Sequence, residues 1–214
     1  MTSDGSLALD YRLERLLGVG PDADQLDRWI VTLSVLRAEE QEEFDLPVRD
    51  PIGHAELYAL DPDRHRLLGW DPFEVADAYS ADAATYFEEL FGPDGLTRDD
   101  VREAFELSVD RALIVHDVQV LPAERRRGYG ALLVADALLT LAGPGTAVLA
   151  HPGPTDPAVV DADDTVRLRH ETHNTRFLGA LGFTPFRHRR WMLDLALQPN
   201  LDVLAERRRR RGSA

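Results

Sequence analysis

Apolar and polar positions change period several times along this chain, and each change marks an element. Trp29–Leu36 and Ile52–Leu60 alternate or run apolar with β-branched and aromatic residues, which predicts two strands forming a hairpin with a long connection. That connection holds the acidic run Glu39–Glu43, and Pro47 and Pro51 flank the second strand. A solvated loop accounts for the acids, because a metal site needs converging ligands and one acidic run does not supply them. Asp71-Pro72-Phe73-Glu74 has the form of a helix start, with Asp at N-cap, Pro at N1 and Glu at N3. Val75, Tyr79, Ala83, Phe87, Leu90 and Phe91 then recur at helical spacing with a break near Ser80, and Gly92-Pro93 closes the segment. Thr97 opens a further helix carrying Val101, Phe105 and Leu107. The aromatic stripe reads as core before it reads as the lining of a pocket.

The next stretch carries candidate chemistry. An apolar run, Ala112–Leu121, enters Arg125-Arg126-Arg127-Gly128-Tyr129-Gly130, and the helix-forming run Ala131–Leu141 follows. A strand, a glycine turn and a helix N-terminus together make a seat for phosphate, because unpaired amides and the positive dipole end point at the same place. Gly128 and Gly130 permit φ > 0 and close approach of a ligand to the backbone. Three arginines add forked donors suited to phosphate oxygens. A solvated basic turn before a helix is the plainer alternative. The spacing is not that of a dinucleotide fingerprint, which needs G-x-G-x-x-G, nor that of a P-loop, which needs a Lys before Ser/Thr.

Composition narrows the class. The 214 residues fit one large domain with ample length to bury a core, and 44% hydrophobic with 29% charged residues is globular chemistry. Residues 27–200 are expected to form that domain, with 1–26 as an N-terminal extension and 201–214 as an Arg-rich C-terminal tail. The absence of Cys excludes disulfides and thiolate catalysis, and the absence of Lys excludes Schiff-base chemistry. No apolar stretch has the length of a membrane helix and Met1–Asp10 lacks the form of a signal peptide, so a cytoplasmic protein with no membrane partner is expected. A net charge of -14 argues against nucleic acid and favours a cationic small substrate. The block Arg207–Arg211 reads as a solvated tail.

Val118-Gln119-Val120-Leu121-Pro122 followed by Arg125-x-x-Gly128-x-Gly130-Ala131 resembles motif A of the GNAT superfamily of acyl-CoA-dependent N-acetyltransferases. Asn174-Thr175-Arg176-Phe177-Leu178-Gly179-Ala180-Leu181-Gly182-Phe183 is similar to the late helix of that family, which typically ends in L-G-F. Between them lies a candidate strand, Ala147–Ala150, and Trp191-Met192-Leu193-Asp194-Leu195 would be the closing strand. The resemblance covers Arg111–Leu197. It implies a mixed α/β (α+β) fold, a twisted mixed sheet flanked by helices. Here the helical pair stands just before the motif A strand, a departure from the family order, in which two helices follow the first strand.

The resemblance also implies a reaction: acetyl-CoA, or another acyl-CoA, as co-substrate and an amine on a small molecule or peptide as acceptor. The diphosphate would rest on Arg125, Arg126, Arg127, Gly128, Tyr129, Gly130 and Ala131. The pantetheine arm would pair with the backbone of Val118, Gln119 and Val120, where the strands Val115–Val120 and Ala147–Ala150 splay apart. Asn174 could bond the pantetheine amides. His116 is the first candidate for the base, since imidazole titrates near neutral pH; its parity puts it on the face of Val118 and Val120 with Asp117 opposite. A structural, backbone-bonded His116 is the alternative, and Glu56 is a further candidate base. Where many members have a Tyr as acid, this chain has Leu178, which reads as core packing; a water, Tyr129 or His173 would then serve the leaving thiolate, or no acid at all. His170-Glu171-Thr172-His173 is one residue short of the zincin H-E-x-x-H, so no metal is expected. His54, His65 and His188 read as surface residues. The rival function is a non-catalytic acyl-CoA-binding sensor or interaction module, and a homodimer is compatible with either.

Overall fold

The computed structural model describes residues 6–14, 26–37, 48–61, 63, 67, 72–79, 81–106, 108–143, 145–155 and 157–209. The acidic run Glu39–Glu43, the N-cap Asp71, Ser80, Leu107, and His65 lie outside the described residues.

The fold is mixed α/β, with a seven-stranded mixed sheet flanked by helices. Strands β1 (Leu7–Glu14), β2 (Asp27–Arg37), β3 (Val48–Leu60) and β4 (Arg111–Val120) form an antiparallel run. β4 then pairs in parallel with β5 (Thr146–Ala150), and β7 (Trp191–Asp194) and β6 (Thr184–Pro185) complete the far edge, giving the order β1-β2-β3-β4-β5-β7-β6. The hairpin of β2 and β3 matches the expected strands. Residues 7–14, expected to lie outside the domain, instead pair along the whole of β2 from Leu7↔Val35 to Glu14↔Arg28.

Helices cover both faces. Before β4 come α1 (Pro72–Tyr79), α2 (Ala81–Leu90) and α3 (Asp99–Ala104); their Phe87, Leu90 and Val101, with Phe91 just after α2, bury against Tyr58, Leu60, Ile114 and Leu149. The aromatic stripe is therefore largely core. Thr97 does not cap α3. Its hydroxyl donates to the carbonyl of Val109, and Arg98 is the N-cap without a side-chain bond. On the other face α4 (Tyr129–Leu141) packs Leu132, Leu133 and Leu138 on Val31, Leu57, Leu113 and Val115. After β5 follow α5 (Pro157–Val160), α6 (Asp164–Gly179) and α7 (Gln198–Arg209). Alternate residues of β3, β4 and β5 thus feed two separate cores.

Two sequence features gain a physical reason here. Leu181-Gly182-Phe183 ends α6 because Gly182 takes φ 93 while Leu181 and Phe183 are both buried beside it. The basic block is not wholly a solvated tail, since Arg207–Arg209 form the last turn of α7. Arg208 Nε lies 2.6 Å from the buried carboxylate of Asp136, and Arg207 donates to the Ala180 carbonyl at 3.0 Å. Asp136 also accepts the hydroxyl of Tyr11, so one α4 carboxylate ties β1 and α7 together. No helix among the described residues is long and apolar enough to cross a membrane.

Candidate functional site

The turn between β4 and α4 is built from short local bonds. Leu121 N–H donates to Ile52, Glu124 N–H returns to Leu121, and a 3-10 turn covers Pro122–Glu124. Arg126 and Gly128 then take left-handed conformations, φ 65 and φ 80. For Arg126 that costs roughly 1–2 kcal/mol relative to an ordinary backbone. Gly128 is the N-cap of α4, and the first intrahelical bond runs from Leu132 N–H to its carbonyl at 3.0 Å. The amides preceding Leu132 therefore have no acceptor within the helix. A Cβ on Gly128 would meet nothing within 4 Å, so the backbone faces open space there. Gly130 is closer packed, its ideal Cβ lying 3.5 Å from the Phe177 ring and 3.8 Å from Val118.

The three arginines differ in what they do. Arg125 Nε donates to the Val120 carbonyl at 3.0 Å, folding the turn back on the end of β4. Arg127 pairs with Glu124 at 2.9 Å, and Arg126 is exposed on the left-handed residue itself. Tyr129 is buried in the core under α4, and Ala131 packs at the margin of the same core.

Beside the turn β4 outruns its parallel neighbour. Pairing with β5 runs from Arg111↔Thr146 to Val115↔Ala150 and stops there, while β4 continues through Val120. From His116 to Val120 the edge toward β5 has no strand partner among the described residues. Val118 and Val120 pack on the α4-side core, and Gln119 is exposed.

His116 occupies a position that alternation alone does not give. Leu57 stands opposite Val115 and Glu56 opposite Asp117, so His116 is the extra residue of a β-bulge. The bulge resets the parity of the strand. Val118 and Val120 return to the face of Val115, whereas His116 stacks on Tyr58 on the opposite face, with ring centroids 4.8 Å apart. The expected shared face of His116, Val118 and Val120 is thus corrected, and so is the expected separation of Asp117. With Glu56 opposite it, Asp117 lies on the His116 side and accepts from Gln119 at 2.8 Å and from the Thr155 hydroxyl. His54 Nε2 approaches its Oδ2 at 3.7 Å.

Glu56 is held firmly. Arg28 grips both its oxygens at 2.7 Å, the Tyr58 hydroxyl adds a bond at 2.7 Å, and the third Arg28 nitrogen reaches Glu14 at 2.8 Å. Burial alone would raise its pKa, but the bonds from Arg28 and Tyr58 and the charges of Arg28 and His116 outweigh that and hold it below the ordinary 4.5. A carboxylate so stabilised is a poor proton acceptor.

The late helix brings Asn174 to the same end of the sheet, where its amide donates to the carbonyls of Pro152 at 3.0 Å and Gly153 at 3.5 Å. Asn174 thereby fixes the segment leaving β5. Leu178 is core, His173 and His170 are exposed, and no group of three or more metal-ligating side chains converges among the described residues. The bulge at His116 was missed from the sequence. Its one possible signal is the run His116-Asp117, two polar residues that interrupt an apolar strand. Comparison of the chain with family models, curated proteins and solved structures gives no match in any of the three.

Proposed function

We propose that this chain is an acyl-CoA-dependent N-acyltransferase of GNAT type, moving acetyl from acetyl-CoA to an amine of a small molecule or peptide. The observation that carries the reading is the open turn Arg125–Gly130, a helix start with left-handed Arg126 and Gly128, set beside the unpaired edge of β4. Amides and guanidinium groups suit a diphosphate, and the backbone of Val118–Val120 suits the amides of a pantetheine arm, so the residues present fit the group. Bound acyl-CoA would supply an activated thioester as acyl donor. The strand order, with β4–β5 the single parallel pair among the described residues, supports the same architecture.

His116 is the residue to accept a proton from the acceptor amine. It stands on the polar face with Glu56 and Asp117, beside the end of the β4–β5 pairing, and Glu56 is committed to Arg28. Asn174 positions the loop after β5 rather than offering its donor to a ligand. One observation favours the rival, a CoA-binding protein without turnover: Leu178 is sealed in the core where the family commonly has a Tyr. Calorimetry with coenzyme A and acetyl-CoA, followed by a CoA-release assay over a panel of amines, separates the two. Binding with release supports the transferase, and binding with no release for any amine supports the sensor. Absence of heat with either nucleotide sinks both.

A further inference from the structure

A cavity of about 570 Å³ opens between α2, the segment Phe91–Arg98 and the turn joining β6 to β7. Its size falls within the range of small-molecule sites, about 300–1,000 Å³. Phe73, Phe87 and Phe91 supply apolar lining, Arg98 and Arg187 supply positive charge, and the acids Glu88 and Glu89 also border the cavity. The turn carrying Arg187 is strained. Phe186 N–H donates to Arg190 at 2.8 Å and Arg190 N–H to Arg187 at 2.9 Å, while His188 and Arg189 take φ 50 and φ 63. Two consecutive left-handed residues are ordinarily Asn-Gly, so His-Arg here is a costly choice of the kind found at ligand sites. Glu171 clamps Arg189 from outside and keeps the turn in place.

Arg187 itself is incompletely satisfied. One nitrogen contacts Asp100, which Arg98 Nε also approaches at 3.5 Å. The other edge of the fork, Nε with Nη2, is buried and has no hydrogen-bond partner. Glu89, the buried acid nearby, is already taken by Arg190 at 3.2 Å and faces His188 at 3.6 Å. Burial and the neighbouring charge of Arg98 both disfavour the charged form of Arg187, and Glu89 offsets this only in part. Two guanidinium groups thus share one carboxylate beside an aromatic cavity. A planar anion would relieve both the repulsion and the missing bonds.

We infer that this cavity binds a small carboxylate with a flat apolar body, the carboxylate bridging Arg187 and Arg98 and the body lying on Phe73, Phe87 and Phe91. The Nε–Nη2 edge is shut from solvent in the present arrangement, so the Arg187 side chain turns into the cavity it lines as the ligand enters. The turn releases the contact with Asp100, which Arg98 retains, and the stacking of the guanidinium over the Phe186 ring, 5.1 Å from its centroid. The cavity shares a sheet face with His116 and lies toward the same sheet end, because Trp191 pairs with both Ala150 and Pro185. If the transferase reading holds, the same groups would anchor a carboxylate-bearing acceptor, but the binding site stands without that reading.

The test is calorimetric titration of the full chain with sodium phenylacetate, with 2-phenylethanol and sodium sulfate as controls and no acyl donor present. Saturable phenylacetate binding is expected, weakened about tenfold or more in Arg187→Lys, which keeps the charge and loses the fork. Thr85→Trp, which fills the cavity from α2, should abolish it, with circular dichroism showing both variants folded. Phenylacetate that fails to saturate at millimolar concentration overturns the assignment. So does equal affinity in Arg187→Lys, or sulfate or 2-phenylethanol binding as tightly. Because coenzyme A plays no part in this titration, its failure and that of the transferase reading are distinguishable.

Discussion

Gly128 and Gly130 stand two residues apart, yet a methyl group added to each should change stability in opposite directions. At Gly128 the backbone holds φ 80 and the new Cβ would touch nothing within 4 Å. The whole effect of Gly128→Ala is therefore conformational, about 1–2 kcal/mol against the fold. For a domain of this size each kcal/mol is worth about 2–4 °C, so the melting temperature should fall by about 2–8 °C. At Gly130 the added carbon makes ordinary contacts of 3.5 Å with Phe177 and 3.8 Å with Val118, inside the first turn of α4. Ala is favoured over Gly within a helix by about 0.5–1 kcal/mol, which predicts a rise of about 1–4 °C for Gly130→Ala. Thermal unfolding followed by circular dichroism, on the three proteins side by side, checks both signs. A second scan with acetyl-CoA at a hundredfold excess over its Kd should stabilise the unmodified protein by about 2.7 kcal/mol. Gly130→Ala should keep that gain, and Gly128→Ala should lose most of it, since its methyl group occupies the open side of the turn. A Gly128→Ala protein that melts no lower than the original refutes the left-handed turn, and an undiminished ligand shift refutes the phosphate seat.

His116→Ala should lower kcat by about 10²–10⁴-fold while leaving acetyl-CoA affinity intact, read by CoA release and calorimetry together; an unchanged rate removes His116 as the base. Acid stability should depend on Glu56. Its folded pKa is lowered, so the stability it adds is complete above its ordinary 4.5 and is lost as pH falls through the folded value, and Glu56→Gln should flatten the stability curve on that acid limb. Alkaline stability should depend on Tyr11 in the opposite sense. Burial, reinforced by the bond to Asp136, raises its pKa above the usual 10.0, so its contribution is complete below pH 10.0 and is lost as pH climbs toward the folded value; Tyr11→Phe should remove that dependence in urea melts at high pH.

Much of the architecture was legible because it follows local rules. The β4 strand, the glycine turn and α4 could be placed from the switch of an apolar run to Gly128-Tyr129-Gly130 and a helix-forming run, and the structure starts α4 at Tyr129 instead of Ala131. β1 was not legible, because Leu7–Glu14 is a sheet edge with mixed polarity and earns its place through pairing with β2. The bulge could not be read either. A strand's alternation predicts faces only while register holds, and one extra residue inverts every assignment beyond it. That slip moved His116 away from Val118 and brought Asp117 to its side. Thr97 misled for a related reason: its residue type suits an N-cap, but the long-range carbonyl of Val109 claimed its hydroxyl.

All the basic side chains being Arg fits how this sheet end is built. An ammonium is a point charge that swivels, whereas a guanidinium fork can be fixed by two bonds to one carboxylate. Arg28 on Glu56 and Arg189 on Glu171 both use the fork in that way. Each such pair neutralises an acid on a chain whose net charge is -14. The two Arg-rich turns, Arg125–Arg127 and Arg187–Arg190, both lead on from strands at the end where β4 outruns β5. On the proposed transferase reading, these turns would offer guanidinium groups to an anionic nucleotide, while the Asp117 carboxylate beside His116 would favour a cationic amine; Glu56 and Glu14, held by Arg28, would add little to that attraction.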